Sequence, residues 1–594
     1  MANTYPLRVG LFGIGLEAYW PQFEGLKPKL EGYLGKVAAK LGRPGVEICN
    51  LGLIDSPEKA MEAGHAMRRA DVDVIFLHVT TYALSSTVLP VVQRAKVPVI
   101  ILNLQPVAAM DYKTFNKMGD RTKMTGEWLA HCGACPVPEI ANAFNRARIG
   151  FHQVTGTLQP GDPAWNEIDD WIEAARVAHI MAHNRLGLMG HYYNGMLDIH
   201  TDTTRQVAYF GGHLEIVEVE ELAALRRSVK PAETEAKLAE FRKGFDIQKD
   251  CSPAEMERAA RTAVALDKLV AAKRLGSLAY YHMGTGNEEH EDVMSSVILG
   301  NSLLTARGIP VAGEYEVKNA QAMKIMDSFG VGGSFTEYYA MDFDDDVVLM
   351  GHDGPGHIQI ASGKTKVRPL EVYHGKVGKG LSVEMSIRHG PVTLLSVVEY
   401  ADGSLKLLVA EGESVPGPIL EIGNTNSRYR FPIGARAFVE RWNAQGPATT
   451  VPWGWATSPP GSPSSVPCFP WKLCGSAEAG DGSSRSFYHG ERIFLDIPTS
   501  RNRHGGPLSW EVSPRTGWPR PDSDGGRLVV SGLAKRKVAH GRTFSVRPGK
   551  AGVPIRGTQP CVRFPRPRHS CPPRRHRYPH AQSHSALPLG LLTA

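Results

Sequence analysis

The sequence predicts an α/β protein: two Rossmann-like parallel-sheet domains, a β-rich, barrel-like antiparallel domain, then a disordered tail of non-native character. Three observations carry this. Over residues 1–330, apolar runs rich in β-branched residues alternate with helical segments. Between Lys364 and Ile433 the texture changes to short strands split by Gly, Asp and Ser. From Thr449 onward periodicity is lost. The expected divisions are 1–180, 181–330, 331–448 and 449–594.

In the first division, Leu7 to Gly15, Val46 to Leu53, Val72 to Val79 and Val99 to Leu104 read as strands. Helical segments Glu24 to Leu41, Pro57 to Ala70 and Thr87 to Ala95 separate them, as parallel pairing requires. The run Gly13 to Ala18, GIGLEA, matches G-x-G-x-x-A after a strand. However, Glu17-Ala18-Tyr19-Trp20-Pro21 is not a helix start that would hold a pyrophosphate, so no nicotinamide cofactor is expected. Cys132 and Cys135 have C-x-x-C spacing, but one such pair is a poor zinc site. Small buried residues at a helix end are the expectation there.

In the second division, strands Arg185 to Gly190, Leu214 to Val219 and Ser277 to His282 alternate with helices Glu233 to Phe241 and Pro253 to Leu275. Polar loops follow the first and last strands, where open α/β sheets place ligands. His191, Asn194 and His282 lie in these loops and are candidate substrate-contact residues. Plain loop solvation is the competing reading.

The stretch Ala312 to Ile360 carries the chemistry. Glu314 follows a short strand, Lys318 to Phe329 reads as an amphipathic helix, and Ser334 to Met341 reads as a strand carrying Glu337. A further strand, Val347 to Met350, closes on His352. Two carboxylates and an imidazole are oxygen and nitrogen donors that a manganese-class ion accepts. The carboxylates are equally suited to acid and base work on a bound substrate. Asp342, Asp344, Asp345 and Asp346 lack the ligand spacing of a calcium loop and read as a solvated turn. Past them, Tyr400 to Ser404 reads as a hairpin turn and Ala435 to Asn443 as a short helix.

The segments AGEYEVKNA, SFTEYY and VLMGHDGP resemble the metal-site signature of the L-arabinose isomerase and L-fucose isomerase superfamily, on the arabinose isomerase side. The resemblance runs from about Leu7 to Ala448. It implies an aldose–ketose isomerase acting on a pentose or 6-deoxyhexose through a cis-enediol, in a homo-oligomer, a hexamer in that family; a cytoplasmic location is expected separately, from an opening that reads as a strand and the lack of a spanning apolar run. It implies Mn²⁺ held by Glu314, Glu337 and His352, with Glu314 and Glu337 also catalytic. A fourth ligand, a His of a Gly-x-Ala-His-His segment, belongs just after Ala448, where this chain has Thr449 and Thr450.

Charge marks the same place. Thr449 to Ala594 holds 21 of the 67 Lys and Arg but only 7 of the 60 Asp and Glu. The body therefore has 46 basic and 53 acidic residues, so a basic tail of net +14 follows an acidic body of net −7. Half of the 10 Trp and 20 of the 42 Pro fall in the tail, a composition unsuited to a packed core. Reading Thr449 to Thr457 with each codon begun one base earlier permits His-His-Cys-Ala-Val-Gly-Val-Gly-His. A single-base deletion near codon 448 accounts for this better than a nucleic-acid-binding arm does, so no nucleic-acid partner is expected. No apolar run is long enough to span a membrane. The expected partner is a small sugar. The alternative is a sugar-binding or regulatory protein that keeps the cleft without the catalysis.

Overall fold

The computed structural model describes residues 6–283, 286–370, 372–373, 376–377 and 379–455. The chain divides into units Met1–Arg501 and Asn502–Ala594, and the second lies wholly outside the described residues. So does the expectation of disorder for residues 456–594.

Strands β1 (Leu7–Ile14), β2 (Val46–Ile54), β3 (Val74–His78), β4 (Val99–Gln105) and β5 (Phe151–Thr157) form a parallel sheet in the order β2-β1-β3-β4-β5. β1, β3 and β4 are apolar along nearly their whole length because both their faces are covered. The edge strand β5 reads FHQVTGT and buries only Val154, so it carries no continuous apolar signal. Neither it nor the helix Ala164–Ala182 behind it is legible in the sequence pattern. After β1 comes only the 3₁₀ turn Glu17–Tyr19, and the long helix begins at Leu26. The glycine run thus does not feed directly into the helix N-terminus that a pyrophosphate would need.

A second parallel sheet takes β6 (Arg185–Gly190) and β7 (His213–Val217). Two more strands complete it after β8 (Asp246–Ile247), namely β9 (Ser277–Tyr281) and β10 (Val311–Ala312), in the order β10-β9-β6-β7. The chain then enters β11 (Ser334–Asp342) and β12 (Val347–His352). Next come β13 (Lys366–Pro369), β14 (Val372–Tyr373), β15 (Lys376–Val377) and β16 (Leu381–Glu384). The last four are β17 (Gly390–Glu399), β18 (Leu405–Val415), β19 (Thr425–Arg430) and β20 (Thr450–Trp455). A closed antiparallel barrel runs β11-β12-β19-β18-β17-β20, while β16, β13 and β8 make a small sheet beside it.

Three expectations need correction. The periodic fold does not stop at Ala448, because β20 pairs with β11 on one side and β17 on the other. Val451 and Trp453 enter the barrel core, and Trp453 stacks flat on Tyr429 with centroids 3.8 Å apart. Pro452 is accommodated because it pairs with Phe335 at a point where pairing with β17 has not begun. Secondly, the helix Val317–Ser328 is not one-sided. Lys318, Asn319 and Gln321 are buried along with its apolar residues, since the helix packs against the second sheet, the barrel and the helix Ala164–Ala182. Lys318 Nζ is satisfied there by the carbonyl oxygen of Asp198. Thirdly, the acidic turn is more than solvated. Asp342 and Asp345 hold the buried Arg428, and Asp346 accepts the Ala435 N–H at 2.8 Å at the start of the helix Ala435–Asn443.

Candidate functional site

The turn after β10 sets the first carboxylate. Glu314 and Tyr315 both adopt left-handed backbone, φ +58° and +61°, which costs non-glycine residues about 1 kcal/mol or more each. Three bonds hold the turn: Glu316 N–H to the Gly313 carbonyl at 2.9 Å, Tyr315 N–H to that of Tyr280 at 3.0 Å, and Tyr193 N–H to that of Glu314 at 3.3 Å. The strain aims the Glu314 side chain at the end of β12. Its Oε1 lies 3.9 Å from His352 Nε2, and both side chains are largely buried.

His352 is fixed from the other side. Its N–H donates to Thr425 Oγ1 at 3.2 Å, and its carbonyl accepts from the same hydroxyl at 3.0 Å. Phe335 meets the imidazole edge-on, centroids 4.5 Å apart, and Asp353 Oδ1 lies 3.5 Å from Nδ1. Gly351 has no room for a side chain, because an added Cβ would sit 2.0 Å from the Thr425 carbonyl oxygen. Glu337 stands on β11 directly across from Gly351 on one side and Thr450 on the other. β20 thus brings Thr450, at the place where the resemblance expects an imidazole, beside Glu337.

The charges converge. Burial acts to lower the His352 pKa, but the neighbouring carboxylates of Glu314, Asp353 and Glu337 outweigh it and hold the pKa above its ordinary value. Burial raises Tyr280 and Tyr339, and carboxylates add to it: Asp353 and Glu314 at Tyr280, Asp353 and Glu337 at Tyr339. Asp353, Phe335, Tyr280 and Tyr339 were not singled out from sequence. The neighbour of His352 in the run Gly351 to Gly354 was the one signal available for Asp353. The other three carry only core-like patterning.

The donor types fit a divalent cation. Glu314 Oε2 is buried without a hydrogen-bond partner, as a carboxylate oxygen suited to a cation would be. Among the described residues, however, no three or more His, Cys, Asp or Glu side chains come together tightly enough to hold one.

The loop residues sit next to this site. His191 Nδ1 approaches the Tyr192 carbonyl at 2.8 Å, its Nε2 accepts the Met283 N–H at 3.2 Å, and its ring lies 5.8 Å from that of His282. Asn194 is exposed in the turn beyond. The same loop carries Asp198, whose Oδ2 accepts both the N–H and the hydroxyl of Thr449 at 2.8 Å. A cavity of about 300 Å³ lies elsewhere, on the barrel flank, lined by Lys364, Lys366, Glu384, His389 and Arg428 among others.

No known family model matches the chain, and no curated protein does. Among solved structures it is similar to an ABC transporter solute-binding protein from Burkholderia multivorans. There the identity is 12%, with 52% of this chain and 97% of that chain covered and a TM-score of 0.13. It is also similar to a sugar ABC transport substrate-binding protein from Bordetella parapertussis 12822. The identity is again 12%, over 51% of this chain and 81% of that one, with a TM-score of 0.12. At such scores the likeness carries no argument. Among the described residues, no helix is long and apolar enough to cross a membrane.

Proposed function

We propose that the chain derives from a metal-dependent aldose–ketose isomerase of the L-arabinose and L-fucose isomerase kind, acting on an aldopentose or 6-deoxyhexose. The observation that carries this reading is the strained Glu314–Tyr315 turn, which turns one carboxylate onto His352 beside the Glu337 strand. Glu314, Glu337 and His352 are the residues that would hold a Mn²⁺-class ion, which when bound supplies Lewis-acid polarisation of the sugar carbonyl. The chain's own part is proton handling. One of Glu314 and Glu337 takes the C2 proton and returns it to C1, and the other serves the hydroxyl oxygen; such positioned groups add about 10²–10⁴-fold. Tyr280, Phe335 and Tyr339, which stand beside these groups, would shield that transfer from water.

We further propose that the chain as written is impaired. Thr450 supplies a neutral hydroxyl next to Glu337 where an imidazole would serve an ion better. A single-base deletion near codon 448 is the source of that change. The 594-residue chain, a version with that base restored, and the Thr449→His/Thr450→His double variant should be assayed side by side on a panel of pentoses and 6-deoxyhexoses, with and without EDTA. Only the restored version should show EDTA-sensitive ketose formation. Equal activity in the uncorrected chain would overturn the impairment argument, and absence of activity in the restored version would overturn the isomerase reading. One observation favours a sugar-binding protein without catalysis, namely the lack of a three-ligand cluster among the described residues. Sugar binding by the restored version with no Mn²⁺-dependent rise in melting temperature would support that alternative.

A further inference from the structure

The C-x-x-C segment lies apart from the carboxylate site. It forms the turn between the helices Arg121–Leu129 and Val137–Arg146. The expectation of small buried residues holds for Cys132 but not for Cys135, which is exposed. The Cys135 thiol lies close enough to Cys132 to help push its thiol up. The turn is seated firmly. An added Cβ at Gly133 would lie 2.6 Å from the Val79 carbonyl oxygen, and Thr81 Oγ1 donates to the Leu129 carbonyl at 2.7 Å. Those contacts place it at the carboxyl end of β3. That is one wall of the crevice between β1 and β3, where the sheet order reverses. Tyr19, from the loop after β1, lies near both cysteines and near Tyr82 of the loop after β3.

We propose that Cys132 and Cys135 form a reversible dithiol/disulfide site that takes low-molecular-weight disulfides as its oxidant. Four features support it together: two neighbouring thiols, one of them exposed and the other buried, a spacing that closes a small ring, and a turn already held in place. The chemistry balances. The Cys135 sulfur, once deprotonated, attacks the small disulfide, forming a mixed disulfide and expelling one small thiolate. Cys132 then gives its proton to solvent and its sulfur attacks Cys135, expelling the second small thiolate. Two protein thiols are oxidised and one small disulfide is reduced to two thiols. Burial, with a further push from the Cys135 thiol, raises the Cys132 thiol to about 12. The buried sulfur is therefore the resolving partner and the exposed one the point of entry. This inference does not depend on the isomerase reading.

A single tryptic peptide, Met124 to Arg146, contains both cysteines and no other. The full-length native protein is treated with oxidised glutathione at mildly alkaline pH, blocked with iodoacetamide, digested and weighed. The expected peptide is lighter than its reduced form by two hydrogens, carries no alkyl group, and regains both thiols with dithiothreitol. Cys132→Ser, or Cys132→Ala if serine destabilises the turn, should trap glutathione on Cys135. Cys135→Ser should leave Cys132 unmodified until the protein is unfolded. A native peptide alkylated at Cys135, whether or not Cys132 is alkylated too, or one retaining glutathione on Cys135, overturns the proposal whatever the variants do.

Discussion

At the scale of single residues, two kinds of titratable group matter. The first are the carboxylates of the site, Glu314, held at a cost in backbone strain, and Glu337. Under the proposed isomerase reading, Glu314→Gln and Glu337→Gln in the base-restored version keep volume and fold while removing a charge and a proton acceptor. Each should lower kcat by about 10²–10⁴-fold. Circular dichroism checks the fold, and retention of most of the activity by either variant would rule that residue out. The second are the buried histidines away from the site. Burial lowers His78 to about 4, offset in part by the Leu104 carbonyl, and lowers His357 to about 4 as well. Their folded pKa lies below the unfolded value of about 6.5, so stability is fully present above pH 6.5 and is lost as pH falls towards 4. Each should cost about 2 kcal/mol of stability by pH 5. Glu316, raised by burial to about 7, works in the opposite sense over part of that window. The effect is therefore read as a difference. The urea midpoint should fall less between pH 7 and pH 5 in His78→Leu than in the unaltered chain, and an equal fall would refute it.

At the scale of elements, β20 is the segment whose role most exceeds its sequence. Its alternation places Val451 and Trp453 in the barrel core and Thr450 beside Glu337. Trp453 is fully buried against Tyr429, so Trp453→Ala should destabilise the barrel by about 3–5 kcal/mol. Thr450 Oγ1 is buried without a hydrogen-bond partner. Thr450→Val keeps the shape and removes an unsatisfied hydroxyl, so it should be neutral or stabilising by about 1 kcal/mol. Urea denaturation followed by tryptophan fluorescence distinguishes the two variants. A large loss for Thr450→Val would mean that the hydroxyl has a partner. Loss of less than about 1 kcal/mol for Trp453→Ala would mean that β20 does not close the barrel.

At the scale of the whole molecule, two parallel sheets and a barrel are joined by the helix Val317–Ser328, which is covered on almost every side. Its buried Lys318 is satisfied by the loop carrying Asp198, and Asp198 in turn holds Thr449 at the start of β20. A chain of hydrogen bonds thus links the loop after β6, the joining helix and the last barrel strand. Asp198→Ala removes the acceptor for both Thr449 donors, which are exposed at that point, so a cost within about 1 kcal/mol is expected. Hydrogen exchange at Thr449 should quicken while β1 to β5 exchange as before. Unchanged exchange at Thr449 would show that this link does not anchor the strand.

The sequence by itself determined the division into two parallel-sheet regions and an antiparallel one, because buried parallel strands must be continuously apolar and must alternate with helices. It also marked Glu314, Glu337 and His352, since they stand at strand edges within a readable strand–helix–strand run. Tertiary structure alone decided the rest. β5 is a half-polar edge strand whose pattern competes with loop. Val317–Ser328 carries polar residues that can be buried only where carbonyls such as that of Asp198 reach them. Thr450–Trp455 is short and proline-containing, and it becomes a strand only between two partners far away in sequence. The left-handed turn at Glu314 and Tyr315 leaves no mark in composition or periodicity, because it is imposed by hydrogen bonds to the Tyr280 carbonyl and from the Tyr193 N–H, and these form only once the second sheet has assembled.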